Sequence, residues 1–268
     1  MRSFFFTTKF SLGRRASLRD CLSHEFLLMN FRTSLQLFFV ACLMISYVEA
    51  SAQIRVRPTK LIVSPDSKAE TILIVSDGST VRRFEVTVVA WQQVVEAEKI
   101  TPSDALIVSP PAFTLKPNLP QVLRVLRVGP PDAQIEQSFR LLINEITTQP
   151  SGPATGTPTV SLNMSLPVFV SPLSSAAEAF DLELSPFQKS ADGKSSRMLK
   201  LSNRGRVHVQ GSQVMRLRAG AEFGEPIPLF GYALPGRTRT WTLDAEGLIG
   251  ADALRVRVTS GATTDLSL

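Results

Sequence analysis

The sequence predicts an all-β protein, and three observations support this fold class. Gly, Pro, Val, Leu, Ser and Thr are abundant among the 268 residues, whereas long stretches of helical periodicity are scarce. Short apolar runs are separated by turn residues, which is typical of β-sandwiches. In the segment Pro158–Pro172, every second residue from Val160 to Val168 is apolar. Because side chains alternate faces along a strand, this segment predicts a strand with one apolar and one polar face.

Further strands follow from the same patterns along the chain. In the first half they are predicted at Lys60–Val63, Thr71–Val75, Phe84–Trp91, Val122–Val128 and Ser138–Ile146. In the second half they are predicted at Phe180–Leu184, Met198–Val209 (interrupted by a turn), Arg239–Leu243 and Leu254–Val258. The sequence therefore predicts two sandwich domains, residues 53–173 and residues 174–268, without an internal sequence repeat.

Residues 1–52 are predicted to lie outside the fold. Leu35–Tyr47 is an apolar run that ends before the small residues Ala50–Ala52, which is the pattern of a cleaved secretory signal. The run is shorter than the roughly 20 residues of a transmembrane helix. An uncleaved anchor is the alternative. Met29 opens a conventional signal by itself, so the start at Met1 or Met29 stays open.

Composition argues against several classes of function. Both cysteines, Cys21 and Cys42, precede residue 53, so the mature chain has no thiol for a disulfide or a metal site. It keeps 23 basic and 20 acidic residues, and a net charge of +3 argues against nucleic-acid binding. His208 is its single histidine, and neither a nucleophile elbow nor a glycine-rich phosphate loop is present. The sequence therefore predicts a protein that is not an enzyme and that uses no metal or cofactor.

The alternating segment has unusual surroundings. It follows a Gly- and Pro-containing loop, Gln149–Thr157, which is predicted to be mobile and to become ordered when a partner binds. It also contains Pro167 and ends at Pro172, where a strand ladder is expected to lapse or bend. The apolar row could therefore face a partner. A hairpin strand that packs its apolar face into its own core is the alternative.

The ordered set of segments resembles the PapD-like family, the periplasmic chaperones of chaperone–usher pilus assembly. The segments that carry the resemblance are Pro58–Leu61, Val88–Gln92, Ser109–Pro111, Leu115–Pro117, Gln121–Val128, Phe139–Ile146 and Val168–Pro172. In the second half they are Asn203, Gly205 and His208, and Leu234–Gly236 ahead of Trp241. The resemblance implies two immunoglobulin-like sandwiches in an L-shaped arrangement and a location in the periplasm. The Pro-Val-Phe-Val-x-Pro ending favours the archaic, Csu-like branch.

In this family the last strand of the first domain fills the open groove of an incomplete pilus subunit, a mechanism called donor-strand complementation. The resemblance implies that Val160, Leu162, Met164 and Leu166 enter that groove. The capped subunit is then delivered to an outer-membrane usher, without a cofactor. The exposed row also suggests that the free protein self-associates. The alternative function is an exported immunoglobulin-like structural or adhesive surface module of a pilus system.

The family anchors the subunit's C-terminal carboxylate with two basic residues. The first corresponds to Lys60, for which a solvated surface lysine is the alternative reading. The second corresponds to Pro167, which cannot bind a carboxylate. Arg124 and Arg127 are the candidates to replace it.

The resemblance also leaves the junction between the two domains open. Glu145 corresponds to an acidic position that often joins an interdomain salt bridge, but it could equally pair with Arg124. The family's arginine in that bridge corresponds to Ser171. The bridge must therefore be rebuilt from other residues or be missing.

Overall fold

The computed structural model describes residues 54–94, 97–146, 161–190 and 193–268. Strands account for nearly all regular structure in these ranges, and a single turn of 3₁₀ helix, Ala245–Leu248, accompanies them. The predicted all-β fold with two immunoglobulin-like sandwiches is therefore confirmed. The predicted signal sequence and the loop Gln149–Thr157 lie outside the described residues.

The first sandwich is formed by ten strands. They are β1 (Ile54–Arg57), β2 (Leu61–Val63), β3 (Ala69–Ser76), β4 (Arg82–Val94), β5 (Ala97–Pro102), β6 (Leu106–Ser109), β7 (Ala112–Leu115), β8 (Gln121–Arg127), β9 (Gln137–Glu145) and β10 (Asn163–Val170). One sheet has the order β1-β3-β8-β6. The other has the order β2-β10-β9-β4-β5, with β7 also paired to β4.

The second sandwich also consists of two sheets. Its strands are β11 (Phe180–Leu184), β12 (Gln188–Lys189), β13 (Ser195–Asn203), β14 (Val209–Arg218), β15 (Ala221–Pro228), β16 (Tyr232–Ala233), β17 (Thr238–Asp244), β18 (Ala253–Val258) and β19 (Thr263–Ser267). One sheet contains β11, β12, β13 and β17, and the other contains β14, β15, β16, β18 and β19. The border predicted at residues 173 and 174 falls in the connection between β10 and β11, and it stays a prediction.

Alternation of apolar and polar residues explains how each sandwich closes. In β4, Phe84, Val86 and Val88 face the interior while the residues between them face outward. Leu141 and Ile143 of β9 meet them from the neighbouring strand and are fully buried. Burial of such side chains contributes about 1.5–3 kcal/mol each, so the apolar row on every strand fixes which face points inward.

The expected interruption at Pro167 is not found. β10 runs through this proline without a break, and its ladder with β9 pairs Leu166 with Leu141, Pro167 with Arg140 and Val168 with Phe139. The strand is therefore longer towards its C-terminus than the proline suggested. The reason lies in the direction of the backbone groups, described next.

Candidate functional site

Strand β10 has one paired edge and one partly open edge. β9 pairs with all eight of its residues, from Asn163 to Val170. On the other side, β2 pairs in parallel with Val168, Phe169 and Val170 only. Among the residues that the structure describes, the segment 163–167 therefore has no neighbour along its outer edge.

The phase of the hydrogen bonds shows which backbone groups this open edge presents. Glu145 N–H donates to Leu162 C=O at 3.0 Å, so the even-numbered residues of β10 direct their backbone groups towards β9. The odd-numbered residues Asn163 and Ser165 direct theirs outward. Pro167 is also odd-numbered, so its missing N–H falls on the outer edge and costs no bond to β9.

The predicted donor row lies along this edge. Leu162, Met164 and Leu166 are partly buried, and the last two pack against the rim of the first domain's core. Val168 and Val170, further along the same row, are almost completely buried. Val160 lies outside the described residues. The row therefore changes along β10 from accessible apolar side chains to fully packed ones.

The other face of β10 is fixed to the second domain through Phe169. This ring is fully buried and stacks on the His208 imidazole, with 3.7 Å between ring centroids and 9° between ring planes. Trp91 and Tyr232 lie against the same ring, at centroid distances of 6.1 and 5.4 Å. The C-terminal end of β10 is thus packed into the junction between the two sandwiches.

A buried carboxylate completes this junction. Glu136 is 6% exposed, and both of its carboxylate oxygens lie 2.9 Å from His208 Nδ1. Oε1 also accepts the His208 backbone N–H at 2.9 Å. Glu136 and His208 therefore link the two sandwiches, and Ser171 stands where the family's arginine is expected.

Glu145 does not take part in that junction. Its Oε2 lies 3.4 Å from Arg82 Nη1 and accepts the Leu162 backbone N–H at 3.0 Å. The alternative pairing of Glu145 with Arg124 is therefore wrong, because Arg82 is the arginine that reaches the carboxylate. Sequence alone could not choose, since β4 and not β8 neighbours β9.

Lys60 lies between the two sandwiches, just before β2. Its Nζ donates to Gln210 Oε1 at 3.1 Å and lies 5.9 Å from the centre of the Tyr232 ring. Burial lowers the Lys60 pKa, while the negative charges of Glu136 and Glu178 act in the opposite direction. The half-buried Lys60 ammonium donates to a neutral amide, and it can donate to a carboxylate in place of that amide.

The two arginines predicted to help Lys60 lie elsewhere. Arg124 is exposed on β8, in the sheet that does not contain β2 or β10. The Arg127 guanidinium donates to the backbone carbonyls of Gly129, Pro65 and Ser67, so it stabilises loops. Within the described residues, neither forms a hydrogen bond with Lys60 or shares an ion-pair partner with it.

Arg140 of β9 is a further basic residue near this region, and the sequence analysis did not single it out. Its guanidinium lies 3.7 Å from the centre of the Trp91 ring and 3.3 Å from Glu98 Oε2. Its positive charge also acts on Tyr232, whose pKa is raised by burial and lowered by Arg140. Lys60 and Arg140 therefore both act on Tyr232. Only the register of β9 against β10, which sequence does not give, places Arg140 opposite Pro167.

The groups considered for chemistry serve packing here. His208 is held between Phe169 and Glu136, and Trp241 Nε1 donates to the Phe230 carbonyl at 2.8 Å. Within the described ranges, His, Cys, Asp and Glu side chains form no group of three that could hold a metal ion. In the same ranges, no helix is long and apolar enough to cross a membrane.

Residues 53–176, which include both edges of β10 and Lys60, match the family model of the PapD N-terminal domain, described as a pili and flagellar-assembly chaperone. The first sandwich therefore belongs to the PapD N-terminal domain family of pilus-assembly chaperones. No curated protein sequence matches this chaperone.

Solved structures place the whole described region in the same fold. One is a chain of the CsuC–CsuE chaperone–tip adhesion subunit complex from the archaic Csu pili of Acinetobacter baumannii. It is 18% identical, with a TM-score of 0.56, and the match covers 80% of this chaperone and 98% of that chain. A chain of the SafA pilin–SafB chaperone complex from Salmonella enterica is 16% identical, with a TM-score of 0.51 and coverage of 80% and 96%. At these identities the likeness establishes the fold, and the Csu-like branch stays a prediction.

Proposed function

We propose that this chaperone acts in the periplasm, caps pilus subunits with strand β10 and delivers them to an outer-membrane usher. The match of the first sandwich to this family supports pilus subunits as the partners, and the reading as a surface module is not favoured. The observation that carries the capping mechanism is the open edge of β10 beside a row of partly buried apolar side chains. Function by binding alone, without catalysis, belongs to the same proposal.

The two sides of β10 can act at once. A subunit strand would pair with the outward groups of Asn163 and Ser165, while the even-numbered residues keep their bonds to β9. Leu162, Met164 and Leu166 would exchange their partial exposure for burial in the subunit's groove. A fully buried side chain of this size contributes about 1.5–3 kcal/mol, and part of that remains to be gained for each.

The subunit's C-terminal carboxylate would bind at Lys60. The carboxylate would displace the Gln210 amide from Nζ and meet a second positive charge at Arg140, in the place where the family's lysine is replaced by Pro167. Arg124 and Arg127 remain outside this arrangement. The positions of Arg124 and Arg127 support an anchor role less well than the position of Arg140 does.

The capping mechanism can be tested by expressing the full chain with candidate pilins and purifying complexes from the periplasm. We expect the wild-type chain to retain a pilin, and Leu162→Glu or Met164→Glu to lose it, because a carboxylate would be buried in the groove. Thr71→Glu, which adds the same charge on an exposed position of β3, is the matched control. Retention by all variants, with each of them folded, would show that β10 is only a core strand.

The predicted self-association of the free protein rests on the same edge. A second copy could pair with residues 163–167 when no subunit is present. Sedimentation velocity over a range of concentrations would detect it, and a monomer at every concentration would contradict it.

A further inference from the structure

Glu145 contacts Leu162, the residue just before β10, in two ways. Its backbone N–H donates to Leu162 C=O at 3.0 Å, and its carboxylate Oε2 accepts the Leu162 N–H at 3.0 Å. In a regular antiparallel pair, a backbone carbonyl would accept this N–H. Here a charged side chain does so, and the strand ladder with β9 begins at the next residue, Asn163.

A second strand holds the carboxylate in place. Arg82, the first residue of β4, brings Nη1 to 3.4 Å from Glu145 Oε2. The two side chains are 23% and 12% exposed, respectively, so water screens the pair less than it would at an open surface. Phe84 of β4 lies directly opposite Glu145, which fixes the distance between the two strands. Arg82, Glu145 and Leu162 therefore link β4, β9 and the segment that leads into β10, which are neighbours in one sheet.

We propose that Glu145, held by Arg82, is a positioning residue that sets the register and the starting point of the donor strand. The inference rests on the proposed capping function and adds a determinant that the anchor residues do not supply. We call the contact of Arg82 and Glu145 with the Leu162 N–H the clamp. Without it, only the backbone bond from Glu145 N–H would hold Leu162 against the end of β9. A shift of one residue would turn Leu162, Met164 and Leu166 to the wrong face.

The clamp and a bound subunit do not compete. Leu162 is even-numbered, so its N–H and C=O point towards β9, whereas the subunit would use Asn163 and Ser165 on the opposite edge. A strand that already has its register loses less conformational freedom on binding. The clamp is therefore expected to slow dissociation of the subunit.

Amide hydrogen exchange on the free protein, purified from the periplasm after expression of the full chain, tests the clamp. A hydrogen bond to a charged group is worth about 1.5–3 kcal/mol, so Glu145→Ala is expected to speed exchange at Leu162 roughly 10- to 100-fold. Glu145→Gln keeps an acceptor and should rescue most of this protection. Asp77→Ala is the matched control, because it removes a carboxylate from an arginine pair, Arg55–Asp77, that belongs to the other sheet of the same sandwich.

The dissociation rate of a pilin captured by the wild-type chain supplies the second measurement. We expect Glu145→Ala to raise it about tenfold, with Glu145→Gln between wild type and Ala and Asp77→Ala unchanged. Arg82→Gln, which keeps the Glu145 carboxylate, provides a milder disturbance if Glu145→Ala does not fold. Unchanged exchange at Leu162, or faster exchange with an unchanged dissociation rate, would overturn the positioning role. If the wild-type chain captures no pilin, the capping function fails, while the exchange experiment still tests the clamp itself.

Discussion

Arg140 of β9 lies directly opposite Pro167 of β10 in the antiparallel ladder. This register is the basis on which the proposed anchor assigns to Arg140 the role of the lysine that the family carries at the position of Pro167. Lys60 approaches Tyr232 from the segment before β2, and Arg140 acts on the same residue from β9. Both positive charges thus act on one residue, Tyr232, although the sequence has no lysine at position 167.

From this convergence we expect Lys60→Ala and Arg140→Gln each to weaken binding of a pilin. The loss should be roughly 10- to 100-fold in Kd, because each variant removes a hydrogen bond to a carboxylate. Titration of purified chaperone–pilin complexes would measure it. Arg124→Gln, on the other sheet, should bind like wild type.

A variant of the pilin distinguishes the loss of the carboxylate anchor from general damage to the fold of the chaperone. Extending its C-terminus by two residues moves the carboxylate away from the junction, so the substitutions at Lys60 and Arg140 should then have little further effect. If Arg140→Gln binds the unmodified pilin normally while Lys60→Ala does not, Arg140 is not the second anchor. Thermal unfolding must accompany the measurement, because Arg140 also packs on Trp91.

Lys60 should also leave a signature in the pH dependence of stability. Burial lowers its pKa in the folded state below the ordinary value of 10.5. Between the folded and the unfolded pKa, the unfolded chain carries a proton that the folded chain lacks, so raising the pH favours the folded state. We expect the stability of wild type relative to Lys60→Met to rise as the pH increases from 7 to 10.

Urea unfolding of both proteins at several pH values would measure this difference. The ammonium is only half-buried, so the gain should be small, below about 1 kcal/mol. A difference that stays constant over this range would mean that Lys60 is as well solvated when folded as when unfolded, which was the alternative reading of the sequence.

The row of the donor strand could be predicted from the sequence because its signal is local. Alternation from Val160 to Val168 sets one apolar face, and the strand formers on both sides fix the fold class. The lapse of the ladder that Pro167 allowed for does not occur, for a reason that is not local. Whether a missing N–H interrupts a ladder depends on which edge it faces, and the bond from Glu145 N–H to Leu162 C=O shows that of Pro167 to be the outer edge.

The partners of charged residues were harder to predict than the strands. Glu145 pairs with Arg82, which is 63 positions away in the sequence, and His208 pairs with Glu136, which is 72 positions away. Such pairs are decided by strand order and by contact between the sandwiches. A single sequence carries no periodic signal for either, so Arg124 and Arg127 could be named as candidates for the second anchor without any information on their distance from Lys60, and Arg140 was not singled out.

A buried amide, Gln93, contributes to the junction between the sandwiches. Gln93 is 7% exposed; its Nε2 donates to the Tyr232 carbonyl at 2.8 Å, and its Oε1 accepts the Leu234 N–H at 2.9 Å. Gln93→Leu would fill a similar volume but would leave both backbone groups without these partners. An unsatisfied buried group costs about 1–3 kcal/mol, so we expect the free energy of unfolding to fall by roughly 2–4 kcal/mol.

Urea unfolding monitored by tryptophan fluorescence would detect this loss, because Trp91 lies in the same junction and Trp241 in the second domain. Gln92→Leu is the matched control, since Gln92 is the exposed neighbour on β4 and its substitution should change stability by less than about 0.5 kcal/mol. If the two sandwiches stabilise each other through Gln93, the Gln93→Leu variant should also separate their unfolding into two steps. A single transition at the wild-type urea concentration would show that the amide contributes nothing to the junction.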